Sequence, residues 1–171
     1  MKLVKPSEEF KDSFIESAAE IIAEGNENFL KGSNGAGDFR AYCQRLNNEA
    51  KGIGLKEGLV PSTYFWLTDN NCFIGRSSVR HWLNENLFKF GGHIGYIIAP
   101  KYRKLGYGTQ ILELSLREAH KLGIDKVLVT CNNTNLGSAR IIEKNGGVFE
   151  NELFQPETGF WKRRYWISRR E

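Results

Sequence analysis

Apolar positions in the first fifty residues recur at helical spacing. Phe10, Phe14, Ala18 and Ile21 share one face of a segment that Ser7 can cap, with Glu8 and Glu9 in its first turn and Gly25 at its close. This predicts a first helix. Residues 26–37 read as a loop, after which Asp38 caps a second helix with Phe39, Tyr42, Leu46 and Ala50 as its apolar stripe, ended by Gly52 and Gly54. From Thr63 the pattern changes: Tyr64, Phe65, Trp66 and Leu67 form a β-prone run, Asp69, Asn70 and Asn71 supply a turn, and residues 72–79 return as a hairpin partner.

Residues 80–90 are mixed and predict a long connection, broken by Gly91 and Gly92. A strand over 93–99 stops at Pro100, a helix over 106–122 is closed by Gly123, and the Val- and Leu-rich residues 126–131 predict a short central strand. Residues 138–145 read as a short helix ended by Gly146 and Gly147, and 148–153 and 160–167 as two last strands joined through Pro156 and Gly159. That order of elements implies one α/β domain spanning residues 1–171, a mixed sheet covered by helices.

Composition leaves this picture intact. At 171 residues, 40% hydrophobic and 26% charged, the chain lies in the ordinary globular range. A net charge of +4 and a pI near 9.0 favour anionic ligands. Apart from residues 101–104 and 162–170 the basic side chains are dispersed, with no broad polybasic arm, which disfavours nucleic acid as a partner and leaves the run 162–170 as the alternative site for it. Cys43, Cys72 and Cys131 are odd in number, lack C-x-x-C spacing and have no clustered His or Cys neighbours, which predicts reduced thiols and no metal site. Residues 1–16 hold acidic side chains and no apolar core of signal-peptide length, and no later segment is apolar enough to span a bilayer, so cytoplasmic residence without membrane contact is expected.

The most informative stretch is Ile94-Gly95-Tyr96-Ile97-Ile98-Ala99-Pro100-Lys101-Tyr102-Arg103-Lys104-Leu105-Gly106-Tyr107-Gly108-Thr109: a strand, a short basic loop with two spaced glycines, and a helix start. Free N–H groups at a helix N-terminus carry partial positive charge, and glycine lets backbone approach a phosphate. The Walker pattern fails because Thr109 and Gln110 follow Gly108 with no Lys, and the dinucleotide fingerprint fails because its third glycine position is Ile111. The competing reading is that the glycines merely make the corner.

Arg103, Gly106 and Gly108, placed between a strand ending in Ala99-Pro100 and an amphipathic helix, resemble the signature of the GNAT superfamily of N-acetyltransferases. Downstream, Asn135, Ser138 and Gly146 match that family's pantetheine-contacting asparagine, its small neighbour and its helix-ending glycine. The resemblance covers residues 72–147 and is weak before Thr63. Gly92-His93-Ile94-Gly95-Tyr96 and Glu143-Lys144-Asn145-Gly146-Gly147 look like a bacterial group of predicted acetyltransferases with unassigned substrate. The resemblance implies a GNAT-like mixed, mostly antiparallel sheet with a central splay, flanked by helices on both faces. It also implies acetyl-coenzyme A as acyl-donor substrate, contacted by Ile97, Ile98, Ala99, Arg103, Lys104, Leu105, Gly106, Tyr107, Gly108, Thr109, Asn135 and Ser138, with no metal.

The implied reaction is acetyl transfer to a primary amine of a small molecule or peptide, by direct attack in a ternary complex. A backbone N–H near Ile98 would polarise the thioester carbonyl. An alkylammonium must lose a proton before attack, and His93, at a strand position where many family members place a catalytic Glu, is the candidate base; the alternative is a strand histidine bonded to backbone. His81 is the weaker candidate, with Arg80 and Trp82 shaping the acceptor side. Many family members carry a Tyr that protonates the thiolate where this chain has Ile142, which leaves Tyr96 or a water to do so and admits a non-catalytic acyl-CoA-binding module as the alternative function. Cys131 reads as a core thiol rather than an acyl carrier, and Phe154, Phe160, Trp161 and Tyr165 as packing of the last hairpin rather than an acceptor wall. The acceptor's identity and homodimer formation stay open.

Overall fold

The computed structural model describes residues 1–30 and 38–169. Its strands are β1 (Lys2–Val4), β2 (Ser62–Asp69), β3 (Cys72–Arg80), β4 (Ile94–Ile98), β5 (Lys126–Asn132), β6 (Val148–Gln155) and β7 (Phe160–Ser168). The helices are α1 (Lys11–Ala23), α2 (Phe39–Glu49), α3 (Tyr107–Lys121) and α4 (Leu136–Lys144). The strands make one sheet in the order β1-β2-β3-β4-β5-β7-β6, antiparallel except where β4 meets β5. No helix among the described residues is long and apolar enough to cross a membrane.

Local chemistry sets most of these boundaries. Ser7 accepts from the Glu9 N–H and Asp38 from the Ala41 N–H, capping the first two helical segments as expected. Asn70 and Asn71 take positive φ of 45° and 59° in the two-residue turn that joins β2 to β3. Helix α4 starts before Ser138 because Asn135 Oδ1 accepts the Ser138 N–H at 3.0 Å and opens the first turn at Leu136. Two stretches read as loop hold more order: residues 27–30 form a 3₁₀ turn and Leu87–Gly91 a π-helical turn. The rest of the expected 26–37 loop, from residue 31, lies outside the described residues. Strand β1 escapes a pattern analysis because three residues hold no periodicity; Leu3 finds its place only opposite Leu67.

Alternate residues of β2 build two cores on the two faces of the sheet. On one, Trp66 stacks on Phe14 of α1 at 4.6 Å between ring centroids, inside an aromatic cluster with Phe29, Phe39, Tyr42 and Phe73. On the other, Phe65 joins Leu112 and Leu116 of α3, Val127 and Val129 of β5, and Ile142 of α4. Burying each such side chain contributes about 1.5–3 kcal/mol, enough to hold both helical layers against the sheet.

The sheet opens between its central strands. β4 and β5 share a single register pair, Ile94 with Val129. Just before it, the His93 N–H donates to Leu128 O at 2.7 Å and the Leu128 N–H donates to His93 Nδ1 at 2.9 Å. Gly92, at φ +67°, lets the backbone pass where a Cβ would sit 2.6 Å from Leu128 O. Beyond this knot the strands diverge.

Candidate active site

The divergence of β4 from β5 opens a cleft of about 660 Å³ lined by Tyr96, Ile97 and Ile98 of β4, Arg103, Lys104 and Gly108 of the turn into α3, and Asn135 and Ser138 of α4. Eight residues singled out in the sequence therefore converge on one cavity. Glu24, Asn26, Gly137 and Ile141 complete it, and no sequence signal marked them.

The turn into α3 leaves main-chain donors free at the helix start. Gly106 sits at the N-cap with φ +87°, which only glycine adopts without strain, and Lys104 is also left-handed at φ 63°. The Tyr107 and Gly108 N–H groups, in the first helical turn, donate to no carbonyl or side chain among the described residues. Gly108 serves a different need: a Cβ there would meet Ile141 Cδ1 at 2.5 Å, so its absence lets α3 and α4 close on each other. The Arg103 guanidinium turns back, with Nε donating to Ile98 O at 3.1 Å and Nη1 and Nη2 to the Glu24 carboxylate at 2.9 and 2.6 Å. Arg103 thus ties strand end, turn and α1 together.

Other expected contacts lie elsewhere. Ala99 is fully buried in the aromatic cluster, Leu105 is exposed, and Thr109 lines a separate cavity that runs along α3 beside the ends of α4 and β7. The Tyr107 ring packs edge-on against Tyr102 and its hydroxyl reaches Asp69 at 3.5 Å, so the side chain leaves the cleft while its N–H stays in the turn.

A second cleft, of about 470 Å³, lies on the α1 side of β3 and β4 and is lined by Phe29, Tyr64, Arg76, Ser78, Arg80 and Gly95 among others. It shares Asn26, Tyr96 and Ile97 with the first. Tyr96 stands at this junction with its hydroxyl 2.8 Å from Ser138 Oγ, and burial pushes the phenol up to about 12.

His93 lines neither cleft. Its Nδ1 is taken by the Leu128 N–H, which leaves the ring proton on Nε2, and burial together with the Arg80 charge pulls it down to about 4. His93 is thus bonded to backbone through Nδ1, as in the alternative to the general-base expectation. His81 is bound through Nε2 to Thr63 Oγ1 at 2.9 Å and also lies outside both clefts. Ile142 is fully buried in the core and lines neither cleft. Cys131 packs in the same core, its thiol pushed up by burial. Phe154 and Trp161 pair at 5.5 Å across the β6–β7 hairpin, away from both clefts, and Tyr165 is buried. The basic run of β7 is partnered: Lys162 with Asn132, Arg163 with Glu152, Arg164 with Glu150. Among the described residues no group of three or more His, Cys, Asp or Glu is placed to hold a metal ion.

Residues 16–148 match the acetyltransferase (GNAT) domain family. The chain belongs to the GNAT acetyltransferase family. Solved structures share the fold at low identity. RimL, a ribosomal L7/L12 alpha-N-protein acetyltransferase in complex with coenzyme A, is 16% identical with a TM-score of 0.70, over 98% of this chain and 94% of that one. The microcin C7 self-immunity acetyltransferase MccE, bound to acetyl-CoA and AMP, is 15% identical with a TM-score of 0.65, over 97% and 91%. A mutant of the spermidine N-acetyltransferase SpeG from Vibrio cholerae is 17% identical with a TM-score of 0.61, over 98% and 95%. Among curated proteins, none matches the sequence.

Proposed function

We propose that the protein transfers an acetyl group from acetyl-coenzyme A to a primary amine of a small molecule or peptide, by direct attack within a ternary complex. The observation that carries this reading is the meeting of the two clefts at Asn26, Tyr96 and Ile97. One cleft has the anion-seeking turn at its far end and the other reaches the opposite side of the strand, so donor and acceptor approach one point from two directions.

Each step has a group to serve it. The Ala99 N–H donates to Ile74 O at 3.0 Å toward β3, so by strand alternation the Ile98 N–H points into the splay, where it polarises the thioester carbonyl. Such a donor is worth roughly 3 kcal/mol in the transition state. The free first-turn N–H groups of α3 hold the diphosphate. Tyr96, protonated at every ordinary pH, gives its proton to the departing thiolate and is resupplied through Ser138. Since His93 is committed to Leu128, the amine's proton leaves through water in the acceptor cleft. RimL and SpeG, by their names, act on a protein N-terminus and on spermidine, so the shared fold does not choose the acceptor.

Buried Ile142 favours one other reading, an acyl-CoA-binding module without turnover. Thiol release from acetyl-CoA across a panel of primary amines separates the two. Release above the hydrolysis background with at least one amine supports transfer, and coenzyme A binding with no release from any amine supports the module.

A further inference from the structure

The second cleft holds two arginines, Arg76 and Arg80, that form no ion pair among the described residues; Glu49, whose carboxylate reaches Tyr64 of this cleft, pairs with Arg45. Arg76, Ser78 and Arg80 alternate along β3 and therefore share a face, opposite Ile97 and Gly95 of β4 in register. The Arg76 Nη1 donates to Phe29 O at 2.9 Å and Tyr42 Oη at 3.2 Å, and the guanidinium lies 4.0 Å from the Phe29 ring centroid. The Arg80 Nη1 donates to Gly91 O and Gly92 O at 3.1 and 2.9 Å, and burial depresses its charged form. Among the described residues, every hydrogen-bond or ring partner of these two side chains is thus a neutral oxygen or a ring face. Every ion pair among the described residues involves other groups. Residues 31–37, whose sequence is Lys-Gly-Ser-Asn-Gly-Ala-Gly, contain no acidic side chain. Glu27 lines the cleft but is exposed and makes no ion pair with either arginine.

A partly buried guanidinium costs desolvation free energy that neutral oxygens only partly offset. Each arginine still has Nη2 without a protein partner among the described residues, in a fork suited to carboxylate or phosphate oxygens. Space for such a group lies beside Arg80. Gly95 carries no side chain, and a Cβ there would stand 3.6 and 3.8 Å from Arg80 Nη2 and Nη1 and 3.4 Å from Ser78 Oγ. Gly95 adjoins Tyr96, which places this pocket one residue from the junction of the clefts.

Resting on the transfer reading above, we infer that the acceptor is a small amine that also bears an anionic group, a carboxylate or a phosphate, seated on Arg80 and Arg76 while its amine faces the Tyr96–Ile97 junction. The volume of about 470 Å³ suits a molecule of amino-acid to dipeptide size. Polyamines, all cationic, are repelled by the same pair.

The test compares primary amines of equal chain length ending in a methyl, a carboxylate, a phosphate or a second amine, by thiol release at fixed acetyl-CoA. The expected result is a kcat/KM at least about tenfold higher for a carboxylate- or phosphate-ended amine than for the methyl-ended one, the size of one charge-assisted contact. Which anion leads identifies the source. Arg80→Met and Arg76→Met should each shrink that ratio several-fold while acetyl-CoA still binds, which also confirms folding; the wild-type series decides the matter if either variant fails to fold. A methyl- or amine-ended acceptor as fast as the anionic ones overturns this inference alone. No release from any amine, with coenzyme A bound, overturns the transfer reading and this one with it.

Discussion

Tyr96 Oη lies 2.8 Å from Ser138 Oγ, joining β4 to α4 across the gap where the sheet splays. Ile142 is turned into the core, so this phenol is the acidic side chain lining both clefts whose proton is held at neutral pH. Tyr96→Phe removes the proton donor and keeps the ring. The expected outcome is a fall in kcat of about 10²-fold, with acetyl-CoA affinity within about threefold of wild type. Pre-steady-state and steady-state thiol release measure it, and an unchanged kcat would remove Tyr96 from the mechanism.

His93 makes the protein sensitive to acid. Its folded-state value of about 4 lies below the ordinary 6.5, so between these values the unfolded chain binds the extra proton. The contribution is complete above about pH 6.5 and is lost as pH falls toward 4, amounting to on the order of 3 kcal/mol. Urea unfolding at stepped pH reads this slope. His93→Asn, whose Oδ1 can still accept from the Leu128 N–H, should flatten it. An activity profile that follows a histidine titration near neutrality, and loses it in His93→Asn, would restore His93 as the base.

Arg103 and Glu24 pair with both side chains roughly two-fifths exposed, 42% and 41%. Glu24→Gln should therefore shift stability by less than about 1 kcal/mol in thermal unfolding. Arg103→Ala also loses the bond to Ile98 O, at the strand end beside the phosphate turn, and should raise the acetyl-CoA dissociation constant at least about fivefold. Equal effects of the two substitutions on binding would show that the ion pair alone matters.

Gly108→Val tests the close approach of α3 and α4. Its Cβ must displace Ile141, which also lines the donor cleft, so a loss of about 1–3 kcal/mol is expected together with weaker acetyl-CoA binding.

Much of this was legible in the sequence. The capped helices at Ser7 and Asp38, the Asn70–Asn71 hairpin and the turn at Gly106 follow from local rules, because the residues that set them lie within a few positions of one another. In the cleft beside the α3 turn, the β4, turn and α3 residues were readable for the same reason, being contiguous, whereas Glu24, Asn26, Gly137 and Ile141 were not. The cleft proposed for the acceptor was not readable. Arg76 and Gly95 become neighbours only through the β3–β4 register, and Asn26 meets Tyr96 only through the docking of α1. The partner of the His93 ring was not legible either, because its spacing from Arg103 fixes its place along the strand while that partner, Leu128, is set by the crossing of two distant strands.

The central claim is that main-chain amides at the start of α3 and the open edge of β4 hold acetyl-coenzyme A in the splay. Calorimetric titration of acetyl-CoA into the protein at physiological salt tests it most directly. The account predicts saturable one-to-one binding with a dissociation constant below about 1 mM, abolished in Gly106→Trp. Absence of binding to the wild-type protein, or binding unchanged by Gly106→Trp, would contradict it.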